Sequence, residues 1–299
     1  MSTVIKHKEF ASRRLYETQV AGRPLKIEVG KVAELAAASA MVTYGETTVM
    51  VAVTCSARPR DGIDFFPLSV DFEEKLYAVG RIPGSFLRRE GQPSLPAVLA
   101  SRVIDRSIRP LFPSDFRNDV VVTATVMSLD PACSPEVTAM IGVSACLAYS
   151  NIPWAGPIGC LEVGYVDGQI VMNPTQAQKE QSQLDLTVAA TAGKVIMIEA
   201  GAKELPDDVM YDAILKAHAE IQQQVEFIRT IEAEIGKEKM TYEHADFDQE
   251  LFDKIVEATL DEAKAAMDTD DKNVREERWN KLIDHWHELF LEEYPEMDQ

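Results

Sequence analysis

The segment Gly80 to Ser94, GRIPGSFLRREGQPS, brings together residues that could do chemistry on a charged polymer. Its glycines and prolines mark it as a loop, yet its middle places Phe86 and Leu87 directly beside Arg88 and Arg89. An aromatic ring stacks on any base face, and guanidinium groups hold phosphates, so this combination suits single-stranded nucleic acid without sequence preference. The same residues admit a plainer reading, in which Phe86 and Leu87 pin the loop to its own core and the arginines sit in solvent. Spacing alone leaves both open.

A second basic element follows at Ser101 to Pro113, SRVIDRSIRPLFP. Arg102, Arg106 and Arg109 recur at four- and three-residue steps, which puts them on one helix face where they could grip successive phosphates or carboxylates. Asp105 stands four residues before Arg109, so an intrahelical ion pair competes with ligand binding at that position. The whole chain carries a formal charge of −19, which excludes a protein basic all over; any phosphate binding has to be local. Such a locality exists, because Arg81 to Asp119 holds seven arginines against four acids, while much of the acid excess lies after Met240.

Other candidate groups read as structural. Asp71, Glu73 and Glu74 are the most clustered acids of the first two thirds and are expected at a solvated strand end. The four cysteines, Cys55, Cys133, Cys146 and Cys160, form no CxxC pair and are expected as reduced, buried, small apolar residues. His285 and His287 are two residues apart, which turns their rings to different sides of a helix and suits a solvated face better than a metal.

Alternation of Val, Ile and Thr predicts strands at Leu25–Val32, Ala40–Ala57 (folded over at Tyr44-Gly45-Glu46), Phe65–Phe72, Asp119–Leu129, Gly159–Met172 (turning at Asp167-Gly168), Leu184–Ala192 and Val195–Glu199. Helical spacing predicts a helix over Leu95–Arg109, with an apolar stripe that includes Leu95, Val98, Leu99 and Val103. Ser134-Pro135-Glu136 opens another, serine at the N-cap and proline at the first position. From Pro206 the pattern is helical almost to the end, with helices expected at Pro206–Gly236, Leu251–Met267 and Val274–Leu291. These regimes predict an α+β domain at 1–205, a mixed sheet with helical cover, followed by an all-α linker domain at 206–299. No run of eighteen apolar residues and no apolar stretch at the N-terminus occurs, so no membrane is expected and the cytoplasm is the expected location.

The two basic segments, in this order and separation, resemble the bacterial polynucleotide phosphorylases, or polyribonucleotide nucleotidyltransferases. The likeness continues through Gly30-Lys31-Val32-Ala33, Tyr44-Gly45-Glu46-Thr47, Asp130-Pro131, Ser134-Pro135-Glu136-Val137, Gly156-Pro157-Ile158-Gly159, Asn173-Pro174-Thr175 and the EAGAKE run from Glu199 to Glu204, and so covers nearly the whole chain. The sequence departs from the family at Leu87, where a second aromatic is usual, at Gln92, where an arginine is usual, and at Leu95-Pro96 and Ser107.

The resemblance implies a ribonuclease PH-like fold, the first core domain of that family with its helical linker. It implies a phosphate-dependent 3′-to-5′ exoribonuclease that degrades single-stranded RNA to nucleoside diphosphates, with inorganic phosphate as co-substrate, a homotrimer and no DNA specificity. In the family the loop guides RNA into a ring, so Phe86, Leu87, Arg88 and Arg89 inherit an RNA-contact role, with Arg102, Arg106 and Arg109 beside them. Phosphorolysis and the Mg²⁺ carboxylates belong mainly to a second core domain, and no second copy of the core motifs appears here. Such chemistry needs phosphate in line with the terminal phosphodiester and cationic groups around it. No catalytic residue or metal ligand is therefore assigned, and the alternative reading is a catalytically inactive module that guides RNA and builds the trimer.

Overall fold

The structure is a computed structural model that describes residues 2–3, 10–60, 62–242, 244 and 249–294. Residues up to His244 form one compact unit and the remainder a second.

Seven strands make the larger sheet: β1 (Ser2–Thr3), β2 (Arg14–Val20), β3 (Arg23–Val29), β4 (Ala38–Tyr44), β5 (Thr47–Cys55), β6 (Leu68–Glu74) and β7 (Val120–Ser128), in the order β1-β2-β3-β4-β5-β7-β6. All neighbours are antiparallel except β6 and β7, so the sheet is mixed as expected. The tight turn between β4 and β5 falls at Gly45, whose φ is +59°. A side chain there would also meet Cys133 Sγ at 2.5 Å, so glycine is required twice over.

A second, smaller sheet was not foreseen as separate. It consists of β8 (Gly159–Val166), β9 (Gln169–Met172), β10 (Leu184–Ala190) and β11 (Val195–Ala202), all antiparallel in the order β11-β10-β8-β9. The β8–β9 turn is at Asp167-Gly168, both with positive φ, the backbone of a two-residue hairpin.

Helix α1 (Leu95–Ile108) lies against β6, and α2 (Pro135–Tyr149) packs on β4 and β5 on one side and on β8 on another. Every residue of α2 from Val137 to Tyr149 is buried, which is why it is apolar all round and shows no stripe. Gly142 brings it onto the sheet, since a Cβ there would stand 2.7 Å from Val42 and 2.9 Å from Val51. A short α3 (Gln176–Gln181) follows, started by a capping box between Thr175 and Gln178.

The long helix α4 (Asp207–Ile235) corrects the expected domain boundary at 205/206. It buries Ala213, Ala217, Ile221, Val225, Ile228 and Ile231 against α2, β8 and β10. Its buried Gln224 closes a reciprocal pair with the β8 backbone, donating to Cys160 O at 3.1 Å and accepting from Cys160 N at 2.9 Å. A helix whose apolar face and only buried amide both point into the core belongs to the core. The boundary therefore lies after His244.

Residues 237–242 then run back over the end of α2. Lys237 N and Met240 N donate to Tyr149 O and Asn151 O. Lys239 Nζ lies 2.8–3.1 Å from the carbonyls of Leu147, Ala148 and Ser150, the charge a helix C-terminus attracts. Asp115 receives Tyr242 Oη at 2.8 Å and His244 Nδ1 at 2.7 Å.

The second unit contains α5 (Gln249–Met267) and α6 (Lys272–Glu293). Asp271 caps α6 by accepting from Asn273 N and Val274 N, and Trp286 Nε1 donates to Glu262 across the pair.

Candidate nucleic-acid interface

The loop between β6 and α1 is held at its base and free at its tip. After β6 a single 3₁₀ turn, Leu76–Val79, ends at Gly80 with φ +71°. Arg81 N donates to Leu76 O at 2.9 Å, and on the return limb Glu90 Oε1 accepts from Leu76 N at 3.0 Å. Ser94 completes the anchorage: its Oγ caps α1 by accepting from Ala97 N and donates to Glu74 Oε2 at 2.7 Å. Asp71 and Glu74 are exposed and Glu73 partly so at the end of β6, the solvated strand end expected; within it Glu74 also fastens the loop, and Glu73 pairs with Lys75 Nζ at 2.7 Å.

At the tip, Arg88 takes a left-handed conformation (φ +52°), donates its N–H to Ser85 O and reaches back with Nη1 to Pro83 O at 3.2 Å. This turn throws Phe86 outward, 99% exposed, with Leu87 69% exposed. Neither pins the loop to the core. Among the described residues no hydrogen bond or ion pair engages the guanidinium of Arg89.

The α1 stripe expected from the spacing is only partly the buried face: Val103 packs against the core, but the first turn of the stripe does not. The helix buries Ala97, Ala100, Ile104, Ser107 and Ile108, while Leu95, Val98 and Leu99 point to solvent. Small residues face the sheet because α1 lies close on β6. The three arginines then divide. Arg102 is exposed and its guanidinium meets no described partner. Arg106 reaches Glu199 of β11 at 3.1 Å, both side chains half exposed, an arrangement a phosphate could displace. Arg109 is the one held within the fold: it binds Asp105 through two donors at 3.0 and 2.7 Å and the carbonyls of Phe66 and Leu68 at 3.1 and 3.2 Å, and stacks over the Phe66 ring. Four of its five N–H donors are engaged.

The start of α2 has the form of an anion site but the wrong charge. Helix N-termini attract phosphate, yet Glu136 stands in the first turn with Glu162 of β8 nearby. Burial, then the Glu162 carboxylate, pushes the Glu136 carboxyl up to about 7. Glu162 is itself buried and ion-paired with Lys179 Nζ at 2.5 Å. Glu162, and Glu136 once it ionises, oppose a phosphate here.

Nucleophilic and metal chemistry find no support in the described residues. Burial pushes the thiols of Cys55 and Cys133 up to about 11 and that of Cys146 up to about 12, leaving negligible thiolate at neutral pH. No three His, Cys, Asp or Glu side chains among the described residues converge as the ligands of an all-protein metal site would. Among the described residues no helix is long and apolar enough to cross a membrane.

Comparison with known proteins agrees with this architecture. Residues 21–153 match the 3′ exoribonuclease family, domain 1, and residues 156–220 match domain 2 of the same family. The first match ends where α2 gives way to the smaller sheet, and the second extends into α4. The chain is 50% identical over 283 residues to the polyribonucleotide nucleotidyltransferase of Ruminiclostridium cellulolyticum and 52% identical over 269 residues to that of Clostridioides difficile, matches that cover 95% and 90% of this chain. It spans 40% and 38% of those relatives' length. Among solved structures, rice (Oryza sativa) Rrp46 superposes with a TM-score of 0.57 at 16% identity, over 71% of this chain and 95% of that one, a likeness of fold.

Proposed function

Because the chain belongs to the 3′ exoribonuclease family, with a ribonuclease PH-like fold and polyribonucleotide nucleotidyltransferases as its relatives, we propose that it serves a cytoplasmic, phosphate-dependent 3′-to-5′ exoribonuclease and contributes the surface that guides single-stranded RNA. The observation that carries this reading is the loop tip, where Phe86 and Leu87 project into solvent beside Arg89, whose guanidinium meets no partner among the described residues. A base stacks on Phe86, Leu87 narrows the passage, and Arg88, Arg89 and Arg102 hold the phosphates. Arg106 joins them when a phosphate replaces Glu199.

Phosphorolysis of the 3′ end, releasing nucleoside diphosphates with Mg²⁺ and inorganic phosphate, is the activity of the whole enzyme in this proposal. The Glu136 and Glu162 carboxylates favour the narrower role for this chain, a guiding module without a phosphate site of its own. Leu95, Val98 and Leu99, exposed next to the loop, supply apolar surface for a homotrimer that would set three loops around one passage.

The test is binding of a fluorescein-labelled oligoadenylate, read by anisotropy across a salt series, together with phosphate-dependent release of nucleoside diphosphate from poly(A). The full chain should bind, and Arg89→Ala with Arg102→Ala should weaken binding and flatten the salt dependence by about one to two phosphate contacts. A double variant with the parent's affinity and slope would sink the assignment. Phosphate-dependent release by the chain alone would replace the guiding role with a catalytic one.

A further inference from the structure

We propose that Glu90 is a positioning residue for the RNA loop: by accepting the Leu76 N–H it holds Phe86, Leu87 and Arg89 in the projecting arrangement that meets a single strand, an inference that rests on the reading of the loop given above. Both limbs of the loop converge on one residue. The outgoing limb is fixed by Arg81 N on Leu76 O, and the return limb by Leu76 N on Glu90 Oε1. Ser94 and Glu74 fasten only the point where α1 begins.

Burial does not back up this fastening. The return limb, with Glu90, Gly91, Gln92 and Pro93, borders a groove of about 570 Å³ whose other wall runs from Glu73 to Val79. Residues 84–94 are exposed throughout. Within the loop, Arg88 closes the tip on Ser85 O and Pro83 O, which shapes the turn but does not tie it to the core. Among the described residues, Glu90 is the one side chain of 82–93 that bonds outside the loop. Without it the return limb gains conformational freedom that RNA binding would have to remove again.

The sign of the effect separates this role from plain electrostatics. Glu90 is an anion next to Arg89, so on charge alone its removal should tighten RNA binding. Positioning requires the opposite for alanine, which lacks an acceptor. Glutamine keeps the accepting oxygen without the charge and should rescue.

The experiment uses the full chain and the fluorescein-labelled oligoadenylate, with Glu90→Ala, Glu90→Gln and Arg89→Ala compared across a salt series. Glu90→Ala should weaken binding about two- to tenfold, the worth of one exposed hydrogen bond, with the salt slope and the melting temperature unchanged. Glu90→Gln should bind within about twofold of the parent. If Arg89→Ala weakens binding while Glu90→Ala binds as well as the parent or better, the positioning role is wrong and the RNA loop stands. A glutamine variant as weak as the alanine one also overturns it, because the charge and not the acceptor would be acting. If neither Arg89→Ala nor Glu90→Ala changes binding, the loop reading has failed, and this inference with it.

Discussion

Replacing Glu136 with glutamine should stabilise the chain at pH 8 and leave it unchanged near pH 4.5. The carboxyl stands in the first turn of α2, where burial and then the Glu162 carboxylate raise it from the ordinary value of 4.5 to about 7, with Lys179 offsetting part of the rise. Below pH 4.5 it is neutral in both folded and unfolded chains and costs nothing. Between 4.5 and about 7 the unfolded chain releases a proton that the folded chain retains, so stability falls as pH rises, by about 1.4 kcal/mol per pH unit. Above about 7 the loss is complete at about 3 kcal/mol. Glutamine has nearly the same shape and no charge to lose. Its advantage should therefore grow from nothing at pH 4.5 to about 3 kcal/mol at pH 8, or about 6–10 °C in melting temperature for a domain of this size. Thermal melts of parent and variant by circular dichroism at pH 5 and pH 8 measure it. An offset that is equal at the two pH values, or a glutamine variant less stable at pH 8, would refute the claim that this carboxyl is raised by its surroundings.

Three further outcomes are expected. Arg109→Ala should cost about 1–3 kcal/mol in urea unfolding, because it strands Asp105 and two carbonyls, with little loss of oligoadenylate affinity; a loss as large as that of Arg102→Ala would put Arg109 on the RNA surface. Gly142→Ala should lower stability by about 1–3 kcal/mol, since its methyl meets Val42 and Val51, and a variant melting with the parent would show that α2 can lift from the sheet freely. Lys239→Met keeps most of the apolar stem and removes the charge, so it should destabilise by about 1–2 kcal/mol through the three carbonyls left at the end of α2, measured by the same melts.

Most strands were legible because their alternation is clean, as in Thr47–Cys55, whose burial alternates nearly residue by residue. Strand β2 was missed: in RLYETQV only Tyr16 and Val20 are buried, and polar residues between them hide the period. Helix α3, QAQKEQ, has no apolar stripe and is specified by its capping box, a signal available at Thr175 and Gln178. Spacing alone does not give the face of the first turns of α1: beside Ile104 and Ile108 the helix buries the small Ala97, Ala100 and Ser107, while Leu95, Val98 and Leu99 face solvent. The early boundary at 205/206 followed a change in composition. Packing of α4 decided otherwise, through partners such as Cys160 that lie far back in the sequence.

Of the candidate interface, the loop itself could be read from the chain, since bulky apolar residues between glycines and arginines signal an unusual segment, but whether Phe86 and Leu87 project or pin it to the core could not. Nor could the partition of the arginines. Arg109 meets Phe66 O and Leu68 O about forty residues upstream, and Arg106 meets Glu199 from the other sheet. The neighbouring Asp105 was visible as one of two possible partners. Glu90 left no trace in the spacing, because its acceptor role is defined by a backbone N–H on the opposite limb.

The strap over the end of α2 also fixes how a pull would be resisted. In covalent order it stands between the helical unit and the core, so tension applied at the far end of the chain reaches the bonds of His244 and Tyr242 to Asp115, and then Met240, Lys239 and Lys237, before any strand. The bonds of these last three are gathered on the carbonyls of Leu147, Ala148, Tyr149, Ser150 and Asn151. A tug of modest size would be stopped there, as by a knot in a cord, while β8 and β10 keep their register.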